Sequence, residues 1–159
     1  RPLKDIADLA HKKIALPAPL SYSANWLLSD ILPRLGLPQS ALDSVHFFSH
    51  HNTVVYQVLK GKFDAGVVKE RVAREYLHQG IRILARSPGI PSSPVVVSFK
   101  TDSALVRQIR QALLKIDISR PGCQRLLSGW DAEFRYGFVP ANDADYDSLA
   151  ALMGKGERL

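Results

Sequence analysis

Apolar positions along the chain alternate between short continuous runs and stripes at helical spacing. The run "KKIALP" (residues 12–17) reads as a buried strand. Beyond it, Leu27, Leu28, Ile31, Leu32 and Leu35 recur at intervals that line one helix face, with Pro33 placed to bend the last turn and Gly36 to end it. A second strand is expected at "SVHFFS" (44–49), then a short helix marked by Val54, Val55, Val58 and Leu59 and closed by Gly61. "FDAGVV" (63–68) reads as a third strand, residues 69–78 as a polar helix, and "IRILAR" (81–86) as a fourth strand. The Pro- and Ser-rich turn "SPGIPSSP" (87–94) is the expected hinge, leading to a further strand at "VVVSF" (95–99). The clearest helix follows: Leu105, Val106, Ile109, Ala112, Leu113 and Ile116 form one stripe, with Asp102 or Ser103 as its cap. The tail carries a short helical piece near 123–127, the irregular stretch "GWDAEFRYGFVPAND", and a last helix over about 145–152.

Such alternation predicts an α/β fold, a mainly parallel sheet with helices on both faces. Ligands of these sheets sit beyond the carboxyl ends of the strands, and two groups of polar residues fall there. Ser21 and Ser23 of "LSYS" precede the first long helix. With Ser23 as N-cap, the amides of Ala24, Asn25 and Trp26 and two hydroxyls would converge on one point at the positive end of the helix dipole. Helix capping alone is the competing reading. His50 and His51 of "SHHN" open the next helix at the same edge; one is expected to donate a hydrogen bond into the cleft and the other to face water. Asp64, at a strand start, is expected to bond backbone amides of a neighbouring turn, a structural duty. His11, His46 and His78 are expected to be ordinary surface or core residues.

Composition narrows the function. The 159 residues, 46% hydrophobic and 23% charged, suit one compact domain or one and a half small lobes. No apolar run reaches the ~18 residues of a membrane span. The chain opens at Arg1 with no signal-peptide pattern, as a mature or trimmed piece would. The net charge of +6 comes from scattered residues without a basic-aromatic stripe, so no nucleic-acid partner is expected. The lone Cys123 excludes an internal disulfide and a cysteine-based zinc cage, and adjacent histidines without a further spaced ligand predict no metal. Ser23, His51 and Asp64 could be assembled into a trio on paper. However, there is no Gly-x-Ser-x-Gly elbow, phosphate-binding Gly-rich loop or dinucleotide fingerprint, so neither an enzyme nor a cofactor is expected.

Taken in order, several segments resemble the phosphate/phosphonate-type periplasmic solute-binding proteins, the substrate-binding components of phosphonate ABC transporters. "DLAHKKIALPAPLSYSANWLLSDILPRLGL" is similar to that family's strand, serine loop and helix. "FFSHHNTVVYQVLKGKFDAGVV" resembles its Ser-His segment, helix end and Asp-Ala-Gly strand. "ILARSPGIPSSPVVV" resembles its crossover, and "FVPANDADYDSL" its closing Asp-Tyr segment. The resemblance implies a two-lobed binder of type 2 periplasmic topology holding an oxyanion between lobes. Residues 1–93 would be the second lobe and 94–159 a crossover and C-terminal segment returning towards a first lobe absent from this chain. It places the family's phosphonate loop on Ser21, Tyr22, Ser23 and Ala24 and its cleft histidine on His51. Tyr22 stands where the family has a small hydroxyl residue, Ala24 where it has glycine, and Ser93 where aminophosphonate binders carry an acid. A small oxyanion or phosphonate-like ligand is therefore expected, rather than an aminoalkyl phosphonate. The implied setting is periplasmic or extracytoplasmic, possible membrane anchoring included, with an ABC transporter permease as partner. Two alternatives stay open: a sensing domain of a membrane histidine kinase or diguanylate cyclase, with its own membrane-anchored signalling region as partner, and an interaction module that kept the fold and binds no ligand.

Overall fold

A computed structural model describes residues 3–156. By backbone contacts they form two units. One runs to Gly89 and takes up the chain again from Ser148, and the other is Ile90–Asp147.

The first unit is organised on a three-stranded, all-parallel sheet: β1 (Lys13–Leu16) lies between β2 (Ser44–Phe47) and β3 (Ala65–Gly66). Lys13 to Leu16 pair with Ser44 to Phe47, while Ile14 and Ala15 pair with Ala65 and Gly66. As a central strand covered on both faces, β1 has no solvent side, and Ile14, Ala15 and Leu16 are each fully buried. Alternation sends Ile14 and Leu16 to one face. There they meet Ala24, Trp26, Leu27 and Leu32 from the helical run after β1, flanked by Val45, Ala65, Val67 and the C-terminal Leu152. Ala15 faces the other way, beneath α3 (His51–Leu59). Gly66 makes that layer possible, since a Cβ there would lie 2.5 Å from Val54 Cγ1 and 2.9 Å from the Ala15 carbonyl oxygen. Helices thus cover both faces, as the periodicity predicts.

The first long helix is continuous but uneven: α1 (Tyr22–Asn25), a π-type stretch (Trp26–Ile31) and α2 (Leu32–Arg34). Pro33 accounts for the widening, because it offers no N–H and its ring crowds the carbonyl four residues earlier. Leu32 N–H accordingly donates to Leu27 O, five residues back. The polar helix over 69–78 is a shorter α4 (Glu70–Glu75) followed by a 3-10 turn (Leu77–Gln79), ended at left-handed Gly80. Its apolar face, Val72 and Tyr76, packs with Val55.

In the second unit, α5 (Ser103–Leu114) starts where expected, with the Asp102 carboxylate accepting the Leu105 N–H at 2.9 Å. Next comes α6 (Pro121–Leu127), opened by proline at a position where no N–H is needed. Trp130, Phe134 and Phe138 form an aromatic cluster, the two phenylalanines stacked 5.8 Å apart. A 3-10 turn (Asp143–Tyr146) and α7 (Asp147–Gly156) close the described chain.

Two expected strands are absent. Residues 81–86 and 95–99 carry no regular structure, and among the described residues no backbone hydrogen bond reaches residues 81–97. The physical reason is the lack of a neighbour: a β-branched apolar run is a strand only when a ladder satisfies its amides and carbonyls. In the second run Val96 is left 79% and Phe99 94% exposed.

Candidate functional site

All three strands run parallel, so the loops after β1, β2 and β3 emerge at one edge of the sheet, and each leads into a helix. The serine loop occupies the first position. Ser21, not Ser23, is the N-cap: it has extended backbone, and its Oγ accepts the Ala24 N–H at 3.2 Å. The two-residue shift changes which donors are spare. Ala24 N–H is taken by Ser21 Oγ, Asn25 N–H by Ser21 O, and Trp26 N–H by the carbonyls of Tyr22 and Ser23. The amides expected to be open are therefore engaged. The unpaired ones belong to Tyr22 and Ser23, which find no acceptor among the described residues, and neither does the Ser23 hydroxyl. The Tyr22 ring turns away to pack against the core of Ile14, Leu16 and Trp26, so its bulk is spent on apolar burial.

Asn25 carries a role that its type and position only hinted at. It is 8% exposed, and its Nδ2 donates to Pro19 O at 3.3 Å and Ser21 O at 3.1 Å, tying the loop to the helix it precedes. An amide inside the otherwise apolar "SANWLL" was the available signal, since a polar group at a core position needs a local partner.

His51 is the first residue of α3, and His50 is its N-cap, an exposed residue whose side chain makes no capping bond. The His51 Nδ1 accepts the backbone N–H of Lys69 at 3.3 Å, which links the starts of α3 and α4 across the edge. A neutral ring with Nδ1 accepting carries its proton on Nε2. Lys69 was not foreseen; its backbone, not its charge, sets the ring's tautomer.

Asp64 is structural, as expected, although its partner is a strand and not a turn. Its Oδ2 accepts the Lys13 N–H at 2.9 Å while its own N–H donates to Lys13 O, which clamps the first residue of β1. At the start of α4, Glu70 receives Arg74 at 2.7 Å and Arg86 at 3.0 Å, and these hydrogen bonds, Arg74 first, hold its carboxyl below the usual 4.5. Ser93 lies in the second unit, where its hydroxyl donates to Glu133 Oε2 at 2.8 Å. Tyr146 of the same unit donates to Ser92 O at 3.1 Å, joining the crossover to the Asp-Tyr segment. Among the described residues no three His, Cys, Asp or Glu side chains gather as a metal site, and no helix is long and apolar enough to cross a membrane.

A serine loop and a histidine at the carboxyl edge of a parallel sheet can collect an anion from neutral donors. The comparison with known families bears on the whole chain. A family model described as ABC transporter, phosphonate, periplasmic substrate-binding protein matches residues 1–146. The chain belongs to that phosphonate-binding family. Its members are substrate-binding components, not enzymes. Among solved structures, the chain is similar to XAC2383 from Xanthomonas citri bound to chloride ion (TM-score 0.73, 20% identity) and to the same protein bound to ATP (0.70, 21%). Each likeness covers 99% of this chain but only 62% of that one, so the chain spans less than two thirds of the length of these structures. They share its fold. Among curated proteins none matches the chain.

Proposed function

We propose that this chain forms one side of an extracytoplasmic solute-binding protein that takes a small oxyanion or phosphonate-like ligand and passes it to the permease of an ABC transporter. The observation that carries the reading is the family match over residues 1–146; the unpaired donors of the serine loop support it. In this reading residues 1–93 are one lobe and 94–159 a crossover returning towards the other. The ligand's oxygens accept from the Tyr22 and Ser23 amides, the Ser23 hydroxyl and the His51 Nε2–H. Ser21 and Asn25 hold the loop in shape, and the small Ala24 leaves it accessible. That XAC2383 was solved with chloride and with ATP, both anions, supports an anion as the ligand class.

The magnitudes set the expected affinity. Hydrogen bonds to a charged ligand contribute ~1.5–3 kcal/mol each, offset by the association cost. A site with donors on one side only therefore reaches about 4 kcal/mol, or a Kd near ~1 mM. Thermal-shift titration against phosphate, phosphite, alkylphosphonates, sulfate and tetrathionate tests the reading. Stabilisation by phosphorus oxyanions that is lost in His51→Ala is the expected result. No stabilisation by any of them would make this an interaction module on a binding-protein fold.

A further inference from the structure

Two tyrosines from neighbouring helices of the first unit stand against each other. Tyr56 lies within α3, and Tyr76 is the residue on which α4 ends. Their rings meet edge to face, with centroids 5.4 Å apart and planes at 78°, and the Tyr76 hydroxyl donates to the Tyr56 hydroxyl at 3.3 Å. Packing of Tyr76 with Val55 and Val72 holds the contact in place. Tyr22, Tyr136 and Tyr146 make no contact of this kind: among the described residues no other two tyrosine rings touch.

The two rings differ in access. Tyr56 is 48% exposed and Tyr76 only 9%, so an oxidant at the surface reaches the first and not the second. The hydrogen bond runs in the direction that overcomes this. On losing an electron, and its own proton to water, Tyr56 becomes a phenoxyl radical whose oxygen already receives the Tyr76 O–H. Transfer of that hydrogen atom moves the radical to Tyr76 and restores the Tyr56 phenol, which is then oxidised in its turn. Tyr76 keeps the proton it has to give, since the same hydrogen bond, ahead of burial, pushes its phenol pKa above the ordinary value. The first unit contains no thiol to quench either radical, because the one cysteine, Cys123, belongs to the second.

We infer that Tyr56 and Tyr76 form a modification site, a pair placed for oxidative cross-linking to dityrosine by a one-electron oxidant of the class of a haem peroxidase with hydrogen peroxide. Spin in each phenoxyl spreads to the ring carbons beside the hydroxyl, and hydroxyls in hydrogen-bond contact place these carbons next to each other. One Cε–Cε bond forms, and the ring hydrogens at the joined carbons pass to the phenol oxygens as aromaticity returns. Overall two electrons and two protons leave the pair, and one hydrogen peroxide is reduced to two waters. Held side by side, the rings couple faster than two molecules that must first meet. The product ties α4 to α3, the helix that opens with His51, and closes residues 56–76 into a covalent loop that constrains the unfolded chain as a disulfide does. A chain with a single cysteine has no internal disulfide available, and the periplasmic setting of its family is oxidising.

The test treats the 159-residue chain at low concentration with peroxidase and hydrogen peroxide, beside N-acetyltyrosinamide as a control for the oxidant. The expected product is a monomer with dityrosine fluorescence and a mass lower by two hydrogens, in which tryptic peptide 35–60 is joined to peptide 75–82. Tyr56→Phe and Tyr76→Phe should each lower the yield of cross-linked monomer at least about tenfold, and Tyr136→Phe should leave it unchanged. Tyr56→Phe keeps its ring at an exposed position and so retains the fold; its result decides even where Tyr76→Phe unfolds. Dityrosine confined to covalent dimers, a monomer joined through any other tyrosine, an unaltered yield in Tyr56→Phe, or no cross-link under conditions that couple the control would each overturn the inference.

Discussion

Ser21 and Ser23 stand two residues apart and do opposite work. Ser21 spends its hydroxyl on the helix it caps, while the Ser23 hydroxyl has no partner among the described residues. The two alanine substitutions should therefore separate. Ser21→Ala lowers stability by about 0.5–2 kcal/mol, as loss of an N-cap does, and calorimetric or chemical denaturation reads it. Ser23→Ala leaves the melting temperature unchanged and weakens anion binding by about 1–3 kcal/mol; equal destabilisation by both would make Ser23 a second structural serine. The two serines and the histidine pair were legible as candidates because they follow strands at the carboxyl edge of the sheet, where ligands of such sheets sit. Which serine caps was not, because N-cap assignment depends on where the backbone turns helical, and "LSYSAN" permits either start. Asn25 and the Lys69 amide were hidden for another reason: their role is a backbone contact, which residue type does not encode.

At the scale of elements, the strands with a built partner were the readable ones. "KKIALP" and "SVHFFS" became β1 and β2, each trimmed at its ends, and the stripe from Leu105 became α5 with the cap on Asp102. "IRILAR" and "VVVSF" are also apolar-rich runs but have no ladder, so pattern and structure part company there. A hydrophobic run records that a segment could pair, not that a ladder forms. Gly66 shows the complementary case, a residue chosen for what it lacks. Gly66→Ala should cost about 1–3 kcal/mol by pushing α3 off β1 and β3, measured by urea denaturation; an unchanged midpoint would mean that Val54 yields without strain. The Glu70 cluster tethers residues 81–86 to α4, and its sign follows from the lowered pKa. Because the folded value lies below the ordinary 4.5, the tether is intact above that pH and is lost as the pH falls through the folded pKa. Being exposed, it contributes little to global stability. The Arg86 Nε–H resonance should therefore move through a transition centred below 4.5, without unfolding; a midpoint at or above 4.5 contradicts the tether.

For the whole molecule, the fold class was legible because alternating runs and stripes leave few topologies, and the family because several weak motifs occur in one order. What the chain binds was not legible, since the donors of the proposed site belong largely to the backbone. Function at this scale rests on convergence. Loops after three parallel strands emerge at one edge of the sheet, and the serine loop and His51 follow two of them. The most direct test is an amide-resolved NMR titration of the chain with methylphosphonate. Saturable shifts at Tyr22, Ser23 and the His51 ring, with a Kd near ~1 mM and no comparable response to choline at matched ionic strength, are predicted. Shifts confined to scattered lysines and arginines, or none at the serine loop at tens of millimolar ligand, would contradict an anion site at this edge.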